Sequence, residues 1–511
     1  MSLLLRLLIA LAAFTAAPLA LAEPADIAAA SRGVVRVVLV SKDGENVQYV
    51  GHGSGFAVSP TLVLTNAHVV AEARDTETML IGVVPSEGTS GYLAKVVAYS
   101  PRNDLALLRL IDKGSIPALT LFPGAVEDGA EVYAVGYPGN VDLAQGLSLA
   151  EIVEPQSAVK TRGYVSAGRS SRQFETLLHT APVGSGNSGG PLLDSCGRVI
   201  GVNSFGTLSE GADSEFYFAV SLREVTGFLR EAGVTPRIAG MPCRSLAELD
   251  RADSQRLASE QARSDAQSRR QSAASEKARA DAQRRAELEV IVERENGMAL
   301  ATLLLVAALA AGGAAFVLEQ REDRRKALIV GGAGIALSLA AVVVWLLRPP
   351  LESIDERAAA SLSSGEPRPV AATSAEAAAG SFVCVFDPER SRATVSEVAD
   401  VPFDWSARGC VNGRTQYGLA NDGWSRVLVP NDEATVSVNR YDPATRTYQV
   451  ERFLLGLEAM TAARAARSAV KAPACGADEG SAREFGAGLQ TIKALLPPQP
   501  NERLVYKCQP R

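Results

Sequence analysis

Ser188 stands in the stretch APVGSGNSGGPLLD, residues 181–194, between Gly186 on one side and Gly189 and Gly190 on the other. Glycine weakens a strand unless the backbone must turn sharply or approach another group closely. A serine on such a turn can act as a nucleophile when a base and an orienting acid are supplied from elsewhere. The chain has three histidines, His52, His68 and His179. His68 lies in LTNAHVV, directly after the strand-like TLVL, and Asp104 lies in NDLALLRL, where an acid precedes an apolar strand. A hydroxyl, an imidazole and a carboxylate of this kind suit acyl transfer, with the serine as nucleophile. His52 reads as a loop histidine and His179 as a strand histidine. GHGSGF (51–56) fits a loose nucleotide-binding glycine fingerprint, but no helix follows it, so that reading fails.

The order His, Asp, Ser is that of chymotrypsin-like enzymes and differs from the orders in subtilisins and α/β-hydrolases. The blocks GSGFAVSPTLVLTNAHVV, NDLALLRL and GNSGGPLL resemble the three catalytic blocks of trypsin-like serine proteases, the HtrA/DegP-like branch above all. The resemblance covers roughly residues 30 to 230. It implies that Ser188 attacks a scissile carbonyl, that His68 relays its proton to the leaving amine, and that Asp104 fixes the imidazole tautomer. The backbone N–H groups of Gly186 and Ser188 would form the oxyanion hole, with the glycines keeping side chains out of the way. VNSFG (202–206) would pair with substrate backbone, with Ser204, Phe205 and Gly206 at the pocket wall. Pro182, six residues before Ser188, replaces the acid of pockets that accept Lys or Arg. An apolar floor gives a buried cation no partner, so cleavage after small or medium apolar residues is expected. GHGSGF would be the loop before the catalytic-histidine strand. The chain departs from the family in two ways. A polar helix and an apolar pair replace the usual PDZ domain, and Asn187 stands where trypsin-type zymogens carry an acid for a new N-terminus. Activation by N-terminal cleavage is therefore not expected.

The elements that must position these residues follow from the pattern of the chain. From 27 to 236, VVRVVLV, GFAVSP, TLVLTNA, AKVVAYS, DLALLRL, EVYAVGYPG, RVIGVNSFG and FYFAVS alternate with glycine turns, which predicts an all-β sandwich or barrel, and the resemblance implies the all-β double barrel of chymotrypsin-like enzymes. The segment 244–297 is rich in Ala, Arg, Glu and Gln. Between Leu246 and Arg294 it has no glycine or proline, which predicts a solvated helix of roughly 70 Å at about 1.5 Å per residue. MALATLLLVAALAAGGAAFVL (298–318) and ALIVGGAGIALSLAAVVVWLL (327–347) carry no charge, and each is long enough to cross a bilayer core of about 30 Å. The connector 319–326 holds Arg321, Arg324, Arg325 and Lys326, which assigns it to the cytoplasm. Glycines 312, 313, 331, 332 and 334 allow the two helices to pack closely. Residues 348–379 read as a flexible linker, and 380–511 as a small α+β domain with a hairpin turn at Asp442-Pro443 and a helical run from Leu454.

The N-terminal MSLLLRLLIALAAFTAAPLALAEP has the form of a cleavable secretory signal, residues 1–22, ending at Ala20-Leu21-Ala22. Six cysteines, Cys196, Cys243, Cys384, Cys410, Cys475 and Cys508, form no C-x-x-C pair. Zinc and thioredoxin-like chemistry are thus disfavoured, and an even count in an exported chain fits disulfides. The last four leave three connectivities open. A net charge of -6 argues against a nucleic-acid partner. The reading that results is a membrane-anchored serine endopeptidase of a bacterial inner membrane, without cofactor or metal. Its protease and C-terminal domains would both be periplasmic, its substrates cell-envelope proteins, and its oligomeric state is open. The rival readings are a catalytically silent protease-like scaffold, and a chain whose C-terminal module is the main functional unit.

Overall fold

The computed structural model of the 511-residue chain describes residues 24–44, 46–76, 78–170, 174–207, 215–363 and 379–511. The expected signal segment 1–22 lies outside the described residues. The first barrel consists of β1 (Val34–Asp43), β2 (Asn46–Ser59), β3 (Leu62–Thr65), β4 (Met79–Pro85), β5 (Tyr92–Ser100) and β6 (Leu105–Leu110). It closes in the order β1-β2-β3-β6-β5-β4, with β4 returning antiparallel to β1. Successive side chains of a strand face opposite ways, and the barrel uses both faces. Along β1, Val35, Val37 and Leu39 enter the barrel core with Val63, Val83 and Leu108. Val34 faces outward into a second cluster with Phe56, Leu64, Leu105 and Leu107.

That outer cluster is covered by the second barrel. After the short β7 (Thr120–Leu121) come β8 (Glu131–Gly136), β9 (Val159–Ser170), β10 (Glu175–His179), β11 (Pro191–Asp194), β12 (Val199–Gly206) and β13 (Tyr217–Ser221). They run β11-β8-β9-β10-β13-β12, and the β11–β12 pairing closes the ring. β7 and β14 (Arg237–Ile238) extend the sheet beside β12. Val132, Ala134, Val165, Leu192, Ile200 and Ala219 fill this barrel. The double barrel is thus the chymotrypsin-like architecture expected. Two details differ. GHGSGF is no loop: Gly51 to Phe56 lie within β2, where His52 pairs with Val38 of β1. Helices α1 (Pro24–Ser31), α2 (Gly139–Gln145) and α3 (Leu222–Glu231) also interrupt the all-β pattern. In α3, Val225, Phe228 and Leu229 recur at helical spacing and are buried.

Helix α4 runs without a break over Leu246–Gln320, joining the polar segment to the first apolar stretch, and α5 covers Arg324–Leu346. Both are long and apolar enough to cross a membrane. Residues 254–372 form a unit of their own. Within it a Cβ on Gly334 would meet the Ala308 carbonyl oxygen at 3.3 Å and the Ala311 methyl at 3.4 Å, so the glycine lets α5 approach α4. Leu303, Leu309, Leu328 and Ile329 point outward. Part of the expected flexible linker is instead helix α6 (Ser353–Ser363), joined to α4 by an Arg357–Glu293 ion pair at 3.0 Å. The remainder, 364–378, lies outside the described residues.

Residues 380–511 form a nine-stranded antiparallel sheet whose first strand, Gly380–Phe386, pairs with its last, Glu502–Pro510. Helices α7 (Leu457–Ala469) and α8 (Glu479–Lys493) supply Met460, Phe485 and Leu489 to a core with Val427, Val436 and Phe453. Phe403, Trp405, Tyr441 and Tyr448 build a second core. The disulfides are Cys196–Cys243, Cys384–Cys508 and Cys410–Cys475.

This domain and the double barrel belong to one compact unit. Arg392, 2% exposed, enters the barrel side and pairs with Asp26 of α1, which is also buried. Its Nε donates to the Arg244 carbonyl oxygen at 2.7 Å, and Asn501 Nδ2 donates to Asp26 Oδ1 at 2.8 Å. Elsewhere the Glu87 carboxylate accepts the first N–H of α7, from Leu457, at 2.9 Å, where the helix dipole favours an anion. A buried charge stripped of its partner costs about 3–5 kcal/mol. Arg392→Ala should therefore lower the thermal unfolding midpoint by several degrees. Arg483→Ala, which removes an exposed ion pair with Glu479, should change stability by no more than about 0.5 kcal/mol. Equal midpoints for the two variants, by differential scanning fluorimetry, would contradict the clamp.

Candidate active site

His68 and Asp104 enter the site from strand ends of the first barrel. β3 buries Val63 and Leu64 on its two faces, then releases the chain at Asn66, and His68 opens a short helical turn. Asp104 immediately precedes β6 in a left-handed conformation, φ 52°, which is uncommon for a residue with a side chain. Asn66, fully buried, holds it there by donating from Nδ2 to the Asp104 carbonyl oxygen at 2.8 Å. The carboxylate then receives three donors. His68 N–H reaches Oδ1 at 3.1 Å, His68 Nδ1 lies 3.0 Å from both oxygens, and Ser204 Oγ donates to Oδ2 at 2.5 Å. Nδ1 therefore carries the ring proton, and Nε2 is left with a free lone pair on a half-exposed ring. Such an imidazole can accept a proton.

Ser188 comes from the second barrel. Its hydroxyl donates to the Ser204 carbonyl oxygen at 2.9 Å rather than to His68. Among the described residues neither Gly186 N–H nor Ser188 N–H donates to a protein acceptor, so two backbone donors flank the hydroxyl. The glycines have a reason beyond clearing that space. A Cβ on Gly189, φ +88°, would lie 2.2 Å from the Ser54 carbonyl oxygen and 2.3 Å from Thr65 Oγ1. The serine loop thus presses directly on β2 and β3. Ser54 fastens it there. Its N–H donates to the Ser188 carbonyl oxygen at 2.8 Å, its Oγ donates to the Gly186 carbonyl oxygen at 2.7 Å, and the same Oγ accepts Tyr137 N–H at 2.9 Å.

The sequence reading missed Asn66 and Ser54, and did not foresee that the Ser204 hydroxyl holds the acid. A buried Asn two residues before His68 and a serine between glycines in GSG were the available signals. Of the residues expected at the pocket, Phe205 is 44% exposed and stacks on Phe218 at 4.8 Å, and Gly206 lies opposite Tyr217 across β12 and β13. Pro182 is exposed, and its carbonyl oxygen accepts Thr161 Oγ1 at 2.6 Å. Asn187 is buried, packed against Gly136. Among the described residues no group of three or more His, Cys, Asp or Glu gathers as a metal site.

Two closed barrels carry an Asp-held imidazole and a serine loop at their junction, in the chymotrypsin-like double-barrel architecture. Residues 53–202 match the trypsin-like peptidase domain family. Serine protease Rv3671c of Mycobacterium tuberculosis is 34% identical over 212 residues, 41% of this chain and 49% of that protein. The magnetosome formation protease MamE of Paramagnetospirillum magneticum is 31% identical over 193 residues, 36% of this chain and 24% of that one. A probable periplasmic serine endoprotease, DegP-like, of Pseudomonas fluorescens is 33% identical over 196 residues, 36% of each chain. The chain thus spans about half or less of the length of these relatives.

His179 keeps its structural role. It ends β10, is fully buried, and lies 6.0 Å from the Tyr217 ring. Burial pushes its imidazole down to about 4. The unfolded chain takes up this proton first as pH falls, so the stability is fully present above the ordinary histidine range near pH 6.5. It is lost as pH falls toward 4, by about 3 kcal/mol in all. Denaturant midpoints measured from pH 7.5 to 4 should decline steeply for wild type and less steeply for His179→Gln. Parallel curves would refute the assignment.

Proposed function

We propose that this chain is a membrane-anchored serine endopeptidase acting on cell-envelope proteins. The observation that carries the reading is Asp104. Its three donors fix His68 with Nε2 free, beside a serine flanked by two unengaged N–H groups. On this reading the Ser188 hydroxyl leaves the Ser204 carbonyl, passes its proton to His68 Nε2 and attacks the scissile carbonyl. The Gly186 and Ser188 N–H groups receive the oxyanion, and His68 returns the proton to the leaving amine. Pro182, Phe205 and Gly206 favour small or medium apolar residues before the cleaved bond.

The two apolar helices support anchoring, with the basic connector 319–326 in the cytoplasm. Two crossings would return residues 380–511 to the side of the protease. The Asp26–Arg392 pair supports this, since it requires both domains in one compartment. The three disulfides and the relative named a periplasmic endoprotease support an oxidising, extracytoplasmic side. The Ser188 hydroxyl bond to Ser204 favours one other reading, a catalytically silent scaffold.

Ser188→Ala and His68→Ala should each abolish hydrolysis of labelled casein while leaving the unfolding midpoint near wild type. A fluorophosphonate probe should label wild type alone. Unlabelled, inactive wild type would leave the scaffold reading standing, and near-wild-type turnover in Ser188→Ala would end the assignment of Ser188 as nucleophile. For topology, alkaline phosphatase fused after residue 380 should be active, and thiol-blocking gels should show Cys384, Cys410, Cys475 and Cys508 oxidised. An inactive fusion with free thiols would overturn the arrangement.

A further inference from the structure

His52, which the catalytic scheme does not use, sits on β2 two residues before Ser54 with 6% of its side chain exposed. Both ring nitrogens are engaged: Nδ1 lies 2.5 Å from the Tyr49 hydroxyl and Nε2 lies 2.8 Å from the Tyr137 carbonyl oxygen. A carbonyl only accepts, so Nε2 carries the proton and Nδ1 receives the Tyr49 O–H. The neutral ring is therefore fully satisfied. Beyond it, Asp142 Oδ2 of α2 stands 3.4 Å from Nε2, while Arg36 of β1 binds Oδ1 at 2.8 Å. Arg36, Asp142, Tyr49 and Tyr137 are the charged and titratable groups that face the ring.

On its open side the ring meets the serine loop. A Cβ on Gly186 would lie 2.8 Å from His52 Nε2 and 2.4 Å from the Tyr137 carbonyl oxygen, so these two groups form the wall behind Gly186. Tyr137 is tied to the loop a second time, since its N–H and the Gly186 carbonyl share Ser54 Oγ. Gly139 N–H holds the Ser185 carbonyl oxygen at 2.8 Å, and a trans peptide then turns Gly186 N–H to the opposite side.

We propose that His52 is a positioning residue for the reaction assigned above: its neutral ring holds the Tyr137 carbonyl and backs Gly186, fixing the peptide whose N–H receives the oxyanion. This rests on the protease reading. Burial, the largest cause, lowers the His52 pKa below the ordinary histidine value, and Arg36 lowers it further against the opposing Tyr137 carbonyl and Asp142. A second ring proton on Nδ1 would confront the Tyr49 hydroxyl, which must then give up its donated bond. The loop is thus held above the ordinary histidine range and loosens as pH falls through the lowered value. Part of the loss of activity toward acid pH therefore comes through His52.

The test uses the full-length chain in detergent micelles with labelled casein, a fluorophosphonate probe and unfolding midpoints. His52→Phe keeps a ring of similar size without a donor, and His52→Gln keeps an N–H for Tyr137. We expect the Phe variant to lose on the order of 10–100-fold in kcat with KM changed by less than about twofold. The Gln variant should recover most of kcat at neutral pH. Its activity should fall less steeply toward acid pH than that of wild type. A Phe variant with wild-type kcat, or a Gln variant with the wild-type acid limb, would overturn the proposal. If the Phe variant does not fold, the Gln profile decides. Wild type that neither labels nor hydrolyses casein overturns the protease reading and this proposal with it. Active wild type indifferent to His52 overturns this proposal alone.

Discussion

Ser54 is the fastening on which the site depends. Its backbone N–H holds Ser188, its carbonyl accepts Thr65 Oγ1 at 2.6 Å, and its hydroxyl ties Gly186 to Tyr137. Ser188 and Gly186 belong to the second barrel, whereas Thr65 leads directly to His68 in the first. One fully buried residue therefore ties the Ser188 loop to the strand that leads to His68. Buried polar groups of this kind are costly unless every partner is present, and here the partners come from both barrels. The apolar contacts of Phe56, Leu64, Leu105 and Leu107 bring the barrels together, and Ser54 fixes the register of the loop upon them.

Legibility in the sequence tracked how local each signal was. Ser188, His68 and Asp104 each sit in a short block whose composition suits its local fold, so the three stood out as candidates by type and order. Ser204 and Asn66 act on Asp104 across separations of 100 and 38 residues, and the chain around them does not tell which residue they reach. His52 looked like a loop residue because glycines surround it. Those glycines instead let β2 run against its neighbours: a Cβ on Gly53 would lie 2.6 Å from Val69, and one on Gly55 would lie 2.9 Å from Leu64.

The same holds for the fold. Strands with uninterrupted β-branched runs were visible. β9, with VKTRGYVSAGRS, was not, because several of its residues face solvent and carry polar groups. Helix α4 was visible as two pieces, a charged one and an apolar one, since composition changes near residue 298 while the backbone does not. The cysteine count foretold oxidation, but pairing Cys410 with Cys475 depends on how the sheet folds, which spacing alone does not encode.

The clamp between Asp26 and Arg392 also imposes an order in time. The two residues are 366 positions apart, so the carboxylate of α1 emerges long before the guanidinium that neutralises it. At about 5–20 residues per second, synthesis of the intervening chain takes roughly 20–70 s. During that interval the guanidinium that pairs with this acid in the finished protein has not yet been made. The joint between α1 and the C-terminal domain is thus one that the growing chain can complete only near its end, since Asn501, which also holds Asp26, comes later still.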